Sequence, residues 1–552
     1  MLVTIAIWLY ILAICYIYGC FFLKQVQLRM GIQAELPVFP LVSLSGLVLL
    51  TVLASFYSLL FNVGIILNLV FMAGAIAILL KGTIEWPSIF RAKRSTISSI
   101  LLFLVVLILL ENSTHRPVNP DTNIYHAQAI HWIETFPAVP GLGNLHGRLA
   151  FNSAWFIANA LFSFSFLNLG SFHLVPGVFF LLILLVLWDG LEKTLAKRAN
   201  YSLAGILKLL FIPLAFYLLG AEVSSPGTDM PASLLIWLVI ILWIENLEGV
   251  HPFNPFLIVL FTFFALTVKF SSIPIIFLVL LIVYNEVNRK QKGYVLVYLL
   301  IGIFILLPFI VRNIILSGYM LYPFPAVDIF NFDWKVPFAR ADQDRLAILA
   351  WARFPRLSPD QVLSMSFLKW FPAWLSDQTI NRKGIFFAAI FSVFATIPGW
   401  KLKIITNRIF LAWLGAYLGT LFWFFSAPDF RFGYGFLIPT IFLPIAILLH
   451  LLIIRIKPAN KLMVIIIGVS LLVFLFYTLA SSIDVGTLKA RAIFPAGYDN
   501  VSTEMCKLAN GSVFCAKSYN MCSYSDFPCI PNPRPWVQMR GNSFREGFRA
   551  NQ

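Results

Sequence analysis

Charge is scarce in this chain: Asp, Glu, Lys and Arg together make up 12% of its 552 residues. A water-soluble domain carries roughly 25%, so too little polar surface exists to cover a folded body in water. Several motifs are also missing. There is no P-loop and no glycine-rich dinucleotide fingerprint, which excludes the common nucleotide-dependent enzymes. No internal repeat recurs, which excludes solenoids. No basic domain separates from the apolar segments, so nothing points to nucleic acid. Basic residues are lacking before the first apolar run, so Met1–Leu23 is expected to be a span and not a cleaved leader. Cysteine is sparse, with six in all.

What is present suits lipid. Hydrophobic residues make up 60% of the chain, in long uncharged runs such as Leu41–Leu60 and Leu462–Ala480. A span needs about 20 apolar residues, and in lipid the backbone must satisfy its own hydrogen bonds, so these runs are helices. The expected fold is all-α and integral to the membrane. About fourteen transmembrane helices are expected: 2–23, 39–60, 62–80, 96–110, 170–189, 203–220, 231–247, 254–268, 272–285, 294–312, 383–398, 409–425, 433–454 and 461–480. The short pair 254–268 and 272–285 also reads as one broken hairpin. Residues 150–166 are apolar too, but a crossing there would invert every later loop, so they are expected to form a helix lying in or re-entering the outer leaflet.

Orientation follows from Lys and Arg in short loops. Lys24/Arg29, Lys81/Arg91/Lys93/Arg94, Lys193/Lys197/Arg198, Arg289/Lys290/Lys292, Lys401/Lys403/Arg408 and Arg455/Lys457/Lys461 all fall on one side. That side should be cytoplasmic, and the net charge of +16 is mostly this bias, suited to anionic headgroups. Three long segments then lie outside: 111–149, 317–383 and 481–552. The organisation is an N-terminal membrane segment 1–95, a main membrane unit 96–480 and an extracytoplasmic tail 481–552. Cys506, Cys515, Cys522 and Cys529 sit in the tail, where an oxidising compartment favours disulfides over zinc. Their pairing is open. Cys15 and Cys20 read as apolar filler within the first span.

Nearly every unusual polar motif falls on the outer side. The first loop carries Asp121, Tyr125, His126, Gln128, His131 and Trp132, then Asn144, His146, Arg148 and Asn152. Asp121 reads either as a helix cap or as a functional acid. Tyr125, Gln128 and Trp132 share a helical face suited to the membrane surface. Asp229 is likewise a cap or an acid. Lys269, Arg312 and the pair Asp429 and Arg431 end or join spans on the same face, and the last two are close enough to pair with each other. Ionisable groups at membrane depth are costly and mark function. Two carboxylates with three cations suit a phosphorylated lipid. The second long loop adds Trp334, Trp351, Trp370 and Trp374, and its run 367–374 reads as interfacial or as a platform for sugar.

These residues carry a resemblance. An acidic residue in a large outer loop beside surface helices resembles the GT-C superfamily of polytopic glycosyltransferases. The runs at 121–128, 140–153 and 427–432 also look like a family of bacterial multi-pass proteins, over about residues 96–450. The chain departs from many GT-C enzymes, since three spans precede the acidic loop, Thr122 follows Asp121 instead of a second acid, and the cysteine tail has no general counterpart. The resemblance implies a GT-C-like arrangement and a donor of polyprenyl phosphate carrying a sugar. The acceptor would be a glycan, lipid or protein on the non-cytoplasmic face of a bacterial inner membrane, in cell-envelope polysaccharide synthesis. It gives catalytic roles to Asp121, His126 and Asp229. Substrate contacts fall to Tyr125, Asn144, His146, Arg148, Asn152, Lys269, Arg312, Asp429 and Arg431. A divalent metal is left open. A flippase for lipid-linked oligosaccharide and an O-antigen polymerase or ligase are the alternatives.

Overall fold

In the computed structural model, residues 1–82, 84, 96–195, 202–456, 489–517 and 520–550 are described. The apolar runs become helices. The N-terminal part holds α1 (Leu2–Met30), α2 (Phe39–Tyr57), α3 (Ile65–Leu80) and α4 (Thr96–Ser113). The first loop folds into a π-turn (Thr122–His126), α5 (Ala127–Thr135), α6 (Leu142–Leu145) and α7 (Ala154–Leu161). Next come α8 (Val175–Leu195), α9 (Leu203–Leu219), α10 (Asp229–Leu247), α11 (Asn254–Val268), α12 (Ile276–Asn288) and α13 (Lys292–Ser317). The second long loop forms α14 (Phe338–Arg353), α15 (Pro359–Leu363) and α16 (Phe367–Asp377). Helices α17 (Ile380–Lys401), α18 (Asn407–Ser426) and α19 (Phe430–Ile456) complete the bundle.

Among the described residues, eleven helices are long and apolar enough to cross a membrane. The expected spans 62–80 and 254–268 are shorter helices of 16 and 15 residues. The expected span 461–480, and the basic groups Arg91/Lys93/Arg94, Lys197/Arg198 and Lys457/Lys461, lie outside the described residues. Within the run 150–166, helix α7 packs into the protein. Trp155 and Leu161 of α7 are fully buried, and Ser153 and Leu161 bond to Val268 and Asn68 of neighbouring helices. Helices α11 and α12 are separate, joined by a 3-10 turn, Phe270–Ile275. Close packing in the N-terminal part needs glycine: a Cβ on Gly46 of α2 would stand 1.8 Å from the carbonyl oxygen of Cys15.

The tail holds the strands. β1 (Thr503–Lys507) pairs antiparallel with β2 (Ser512–Ala516), and β2 pairs parallel with β3 (Cys529–Ile530). A second ribbon joins β4 (Val537–Met539) to β5 (Phe548–Ala550). The four tail cysteines form two disulfides, Cys506–Cys515 and Cys522–Cys529. Such cross-links suit a segment with so little core of its own.

The tail folds back onto the first loop. Gln128 donates to the Ser523 carbonyl and accepts from the Cys529 amide. Trp132 packs on Phe527, Phe544 and Phe548. The shared face of Gln128 and Trp132 therefore meets the tail, not the membrane surface, because it is the tail's aromatic residues that bury it. Gly141 has φ +66°, and a Cβ there would stand 2.1 Å from the Phe548 carbonyl oxygen, so glycine is what lets this strand seat.

His131 makes the seat sensitive to acid. Its ring stacks on Tyr524 at 4.3 Å and Phe527 at 4.1 Å, and its Nδ1 has no hydrogen-bond partner. Burial pushes its pKa from an ordinary 6.5 down to about 4. Between these values the undocked state binds the extra proton, so falling pH weakens docking, by up to about tenfold per pH unit. Protease resistance of the tail is expected to fall as pH drops from 6.5 to 4. His131→Phe keeps the stack and should flatten that dependence; an unchanged slope in the variant would remove His131 as the cause.

Candidate functional site

Four separate segments bring charge to one end of the bundle. Asp121 follows Pro120 at the start of the π-turn, yet its carboxylate makes no capping bond. Instead Oδ1 accepts from Arg148 Nη1 at 3.1 Å, and Oδ2 pairs with Arg431 Nη2 at 3.2 Å. Asp229 is the first residue of α10, one past its N-cap Thr228. One of its oxygens pairs with Lys269, and the other lies 3.4 Å from Arg431 Nε. Arg431 thus bridges two carboxylates whose positions are 108 residues apart in sequence.

The arginine is aimed by its own turn. Asp429 Oδ1 accepts from the Arg431 backbone N–H at 2.9 Å, capping the start of α19. Asp429 and Arg431 therefore do not pair through their side chains; the guanidinium is left free for Asp121 and Asp229. Behind the turn, Trp374 Nε1 donates to the Pro428 carbonyl and Trp423 Nε1 to the Asp429 carbonyl, at 3.1 and 2.7 Å. Trp370 and Trp374 are buried among residues of α17–α19, and Trp374 braces this turn. Trp351 differs: it is 39% exposed and its ring lies 5.2 Å from the Arg431 guanidinium carbon. Phe432 stacks under both cations, 3.7 Å from Lys269 Nζ and 5.1 Å from Arg431.

Burial presses the Asp121 carboxyl upward, but the positive charges of His126, Arg431, Arg148 and Lys269 outweigh it and hold the group below its ordinary 3.8. Burial pushes His126 itself down to about 4, so at neutral pH the ring is uncharged and the arginines and lysine do the holding. His126 bonds Thr122 at 3.3 Å and packs on Tyr125 and Phe156. Tyr125 lies beneath Arg148, 5.7 Å from its guanidinium carbon, and burial raises its hydroxyl pKa.

Other expected residues lie elsewhere. Arg312 is 4% exposed and donates to the Ser58 hydroxyl and carbonyl, not to the cluster. Asn144 ties the loops together through the Trp334 and Phe548 carbonyls. Asn152 donates to the Phe309 carbonyl. His146 is held near 3 by burial and by Arg534 and Arg148.

Two members went unread in the sequence. Asn119 accepts from the Asp121 amide and from Arg431, at 3.0 and 3.4 Å, and donates to Glu222 Oε2 at 3.0 Å. Its position two residues before Asp121, ahead of Pro120, was the available signal. Glu222, in the 3-10 turn just past α9, had none beyond being an acid there.

A cavity of about 290 Å³ lies apart, lined by Ser171, Tyr498, Asp499 and Tyr524. Its one carboxylate, Asp499, is already paired with Arg116 and Asn123, so the charged cluster is the better seat for chemistry. No group of three or more His, Cys, Asp or Glu suited to a metal occurs among the described residues.

Residues 1–438 match the family described as Domain of unknown function (DUF8201). Asp121, Arg148, Asp229, Lys269 and Arg431 all fall within the match, and the disulfide tail falls beyond it. No curated protein and no solved structure matches the chain.

Proposed function

The chain belongs to the DUF8201 family, and we propose that it is a GT-C-like membrane glycosyltransferase. It moves a sugar from a polyprenyl-phosphate donor to an acceptor on the non-cytoplasmic face, within a multi-pass unit of about fourteen spans. The observation that carries this reading is the Asp121 carboxylate, turned from its helix and shared between Arg148 and Arg431.

In the reaction an acceptor hydroxyl attacks the anomeric carbon. The bond from that carbon to the phosphate oxygen breaks, and polyprenyl phosphate leaves with the bond's electrons. Asp121 takes the hydroxyl proton. Arg431 and Lys269 face the leaving phosphate, where a planar guanidinium binds two oxygens at once.

At rest Asp121 is a weak base, because Arg148 and Arg431 stabilise its charged form. A donor phosphate that draws Arg431 toward itself removes part of that stabilisation and raises the basicity of Asp121. Donor binding thus readies the base, and hydroxyl activation waits for the donor.

The charge pattern favours transfer over flipping. A flippase needs charge deep in several spans. Another buried ion set, Lys208 with Asp189 and Glu245, sits toward the opposite end of α8–α10 and is mutually paired.

The test uses the purified chain in proteoliposomes with a sugar-labelled polyprenyl-phosphate donor and a cell-envelope glycan extract. Release of polyprenyl phosphate with label entering the glycan is expected. Movement of intact donor across the bilayer without bond cleavage would replace this reading with the flippase.

A further inference from the structure

Helix α14 runs alongside the charged cluster and leads away from it. From Trp351, against Arg431, to Arg340 it rises through eleven residue steps, roughly 16 Å of helix. Near Arg340 stands Asp344, whose carboxylate lies against the backbone of Gly147: a Cβ there would be 1.9 Å from Asp344 Oδ2. The next residue is Arg148, the partner of Asp121. One continuous surface therefore links Arg431, Asp121, Arg148 and Asp344.

Beyond Asp344 the balance of charge changes. Tyr322 donates its hydroxyl to Asp344 at 2.5 Å. Arg534, Arg148 and Arg340 all act on this one carboxylate. Neither Arg340 nor Arg534 makes an ion pair within 4.0 Å among the described residues. Arg340 Nη1 is buried without any hydrogen-bond partner, a state that native structures rarely leave unfilled. Its guanidinium carbon lies 5.3 Å from the Trp536 ring, which is 43% exposed. Burial and the charge of Arg340 also lower the proton affinity of Arg534. Two half-buried guanidinium groups thus act on one carboxylate, with Arg340 Nη1 left unpartnered.

We propose that Arg340 and Arg534, with Trp536 as an aromatic platform, form a second anion subsite. Its ligand is an oxyanion, carboxylate or phosphate, carried by a water-soluble glycan. Arg534 and Trp536 belong to the polar tail, and Trp536 is open to solvent, which favours a soluble ligand over a lipid headgroup. On the glycosyltransferase reading, and resting on it, this ligand is an anionic acceptor laid along α14 toward Asp121. Such a subsite draws on residues beyond 438, outside the matched family region.

The test measures binding of inorganic phosphate by calorimetry, with the full chain in nanodiscs. The nanodiscs are first loaded with polyprenyl phosphate, so that the Arg431 end is occupied. Wild type is expected to keep one phosphate site. R340Q/R534Q should weaken it at least tenfold and leave polyprenyl phosphate binding within twofold. R340K/R534K, which keeps the charge, should recover part of the loss and guards against misfolding as the explanation. The proposal is overturned if soluble phosphate no longer binds after lipid loading, or if the Gln variant binds it normally. It is equally overturned if that variant loses the lipid instead, which would make this the headgroup site. Because binding is read, a failed transfer assay leaves this result standing, and the reverse also holds.

Discussion

Asp121→Asn is expected to insert and fold normally yet transfer sugar about 10²–10⁴ times more slowly, the usual worth of a general base. Asn keeps the size of Asp and one oxygen that can still accept from Arg148 or Arg431. It cannot take a proton. A capping explanation of any loss is already weak, because Asp121 makes no side-chain cap bond and Asn caps about as well as Asp. The pH profile carries a second signature. In the free protein Asp121 is held below its ordinary 3.8, so the acid limb of kcat/KM assigned to this group lies below that pH. With the donor bound and Arg431 drawn away, the group rises, so the acid limb of kcat should lie at higher pH than that of kcat/KM. Identical limbs would argue against the release of Asp121 by the donor.

Arg431→Ala is expected to have the next largest effect. The side chain is 20% exposed and neutralises two carboxylates, Asp121 and Asp229. Its removal leaves them facing each other with only Arg148 and Lys269 as partners. Removing one partner of a largely buried ion pair is strongly destabilising, so reduced thermal stability should accompany the loss of activity. Donor affinity should fall about 10- to 100-fold, as expected for losing a hydrogen bond between charged groups. Arg431→Lys separates the two effects. It keeps the charge, so stability should largely return, but it loses the planar fork, so donor use should recover only in part. Normal donor affinity in both variants would remove Arg431 from the phosphate site.

Much of the architecture was legible because lipid forces it. Without water the backbone must bond to itself, so apolar runs become helices, and eleven long apolar helices stand where such runs were read. Alternation of spans then placed Asp121, Asp229, Lys269 and Arg431 at one end, and the structure brings those four together. What alternation cannot give is the rotation of a helix about its axis. Arg312 lies in the last two turns of α13 but points inward to Ser58, while Arg148, in a glycine-punctuated loop, reaches Asp121 in its place. Asp429 and Arg431 illustrate the same limit: two residues apart, they meet through the Arg431 backbone N–H and the Asp429 carboxylate, and not side chain to side chain. The tail was legible as a cross-linked unit. Its seat on Gln128, His131 and Trp132 depends on contacts about 400 residues apart, which no local pattern records.

The most direct test of the account is the position of the phosphate in a structure of this chain bound to polyprenyl phosphate. The account predicts the phosphate within hydrogen-bond reach of Arg431 and Lys269, with the Arg431 guanidinium moved off Asp121. A headgroup bound at the opposite end of the bundle, near Lys208, or bound with the Arg431–Asp121 pair intact, would contradict it.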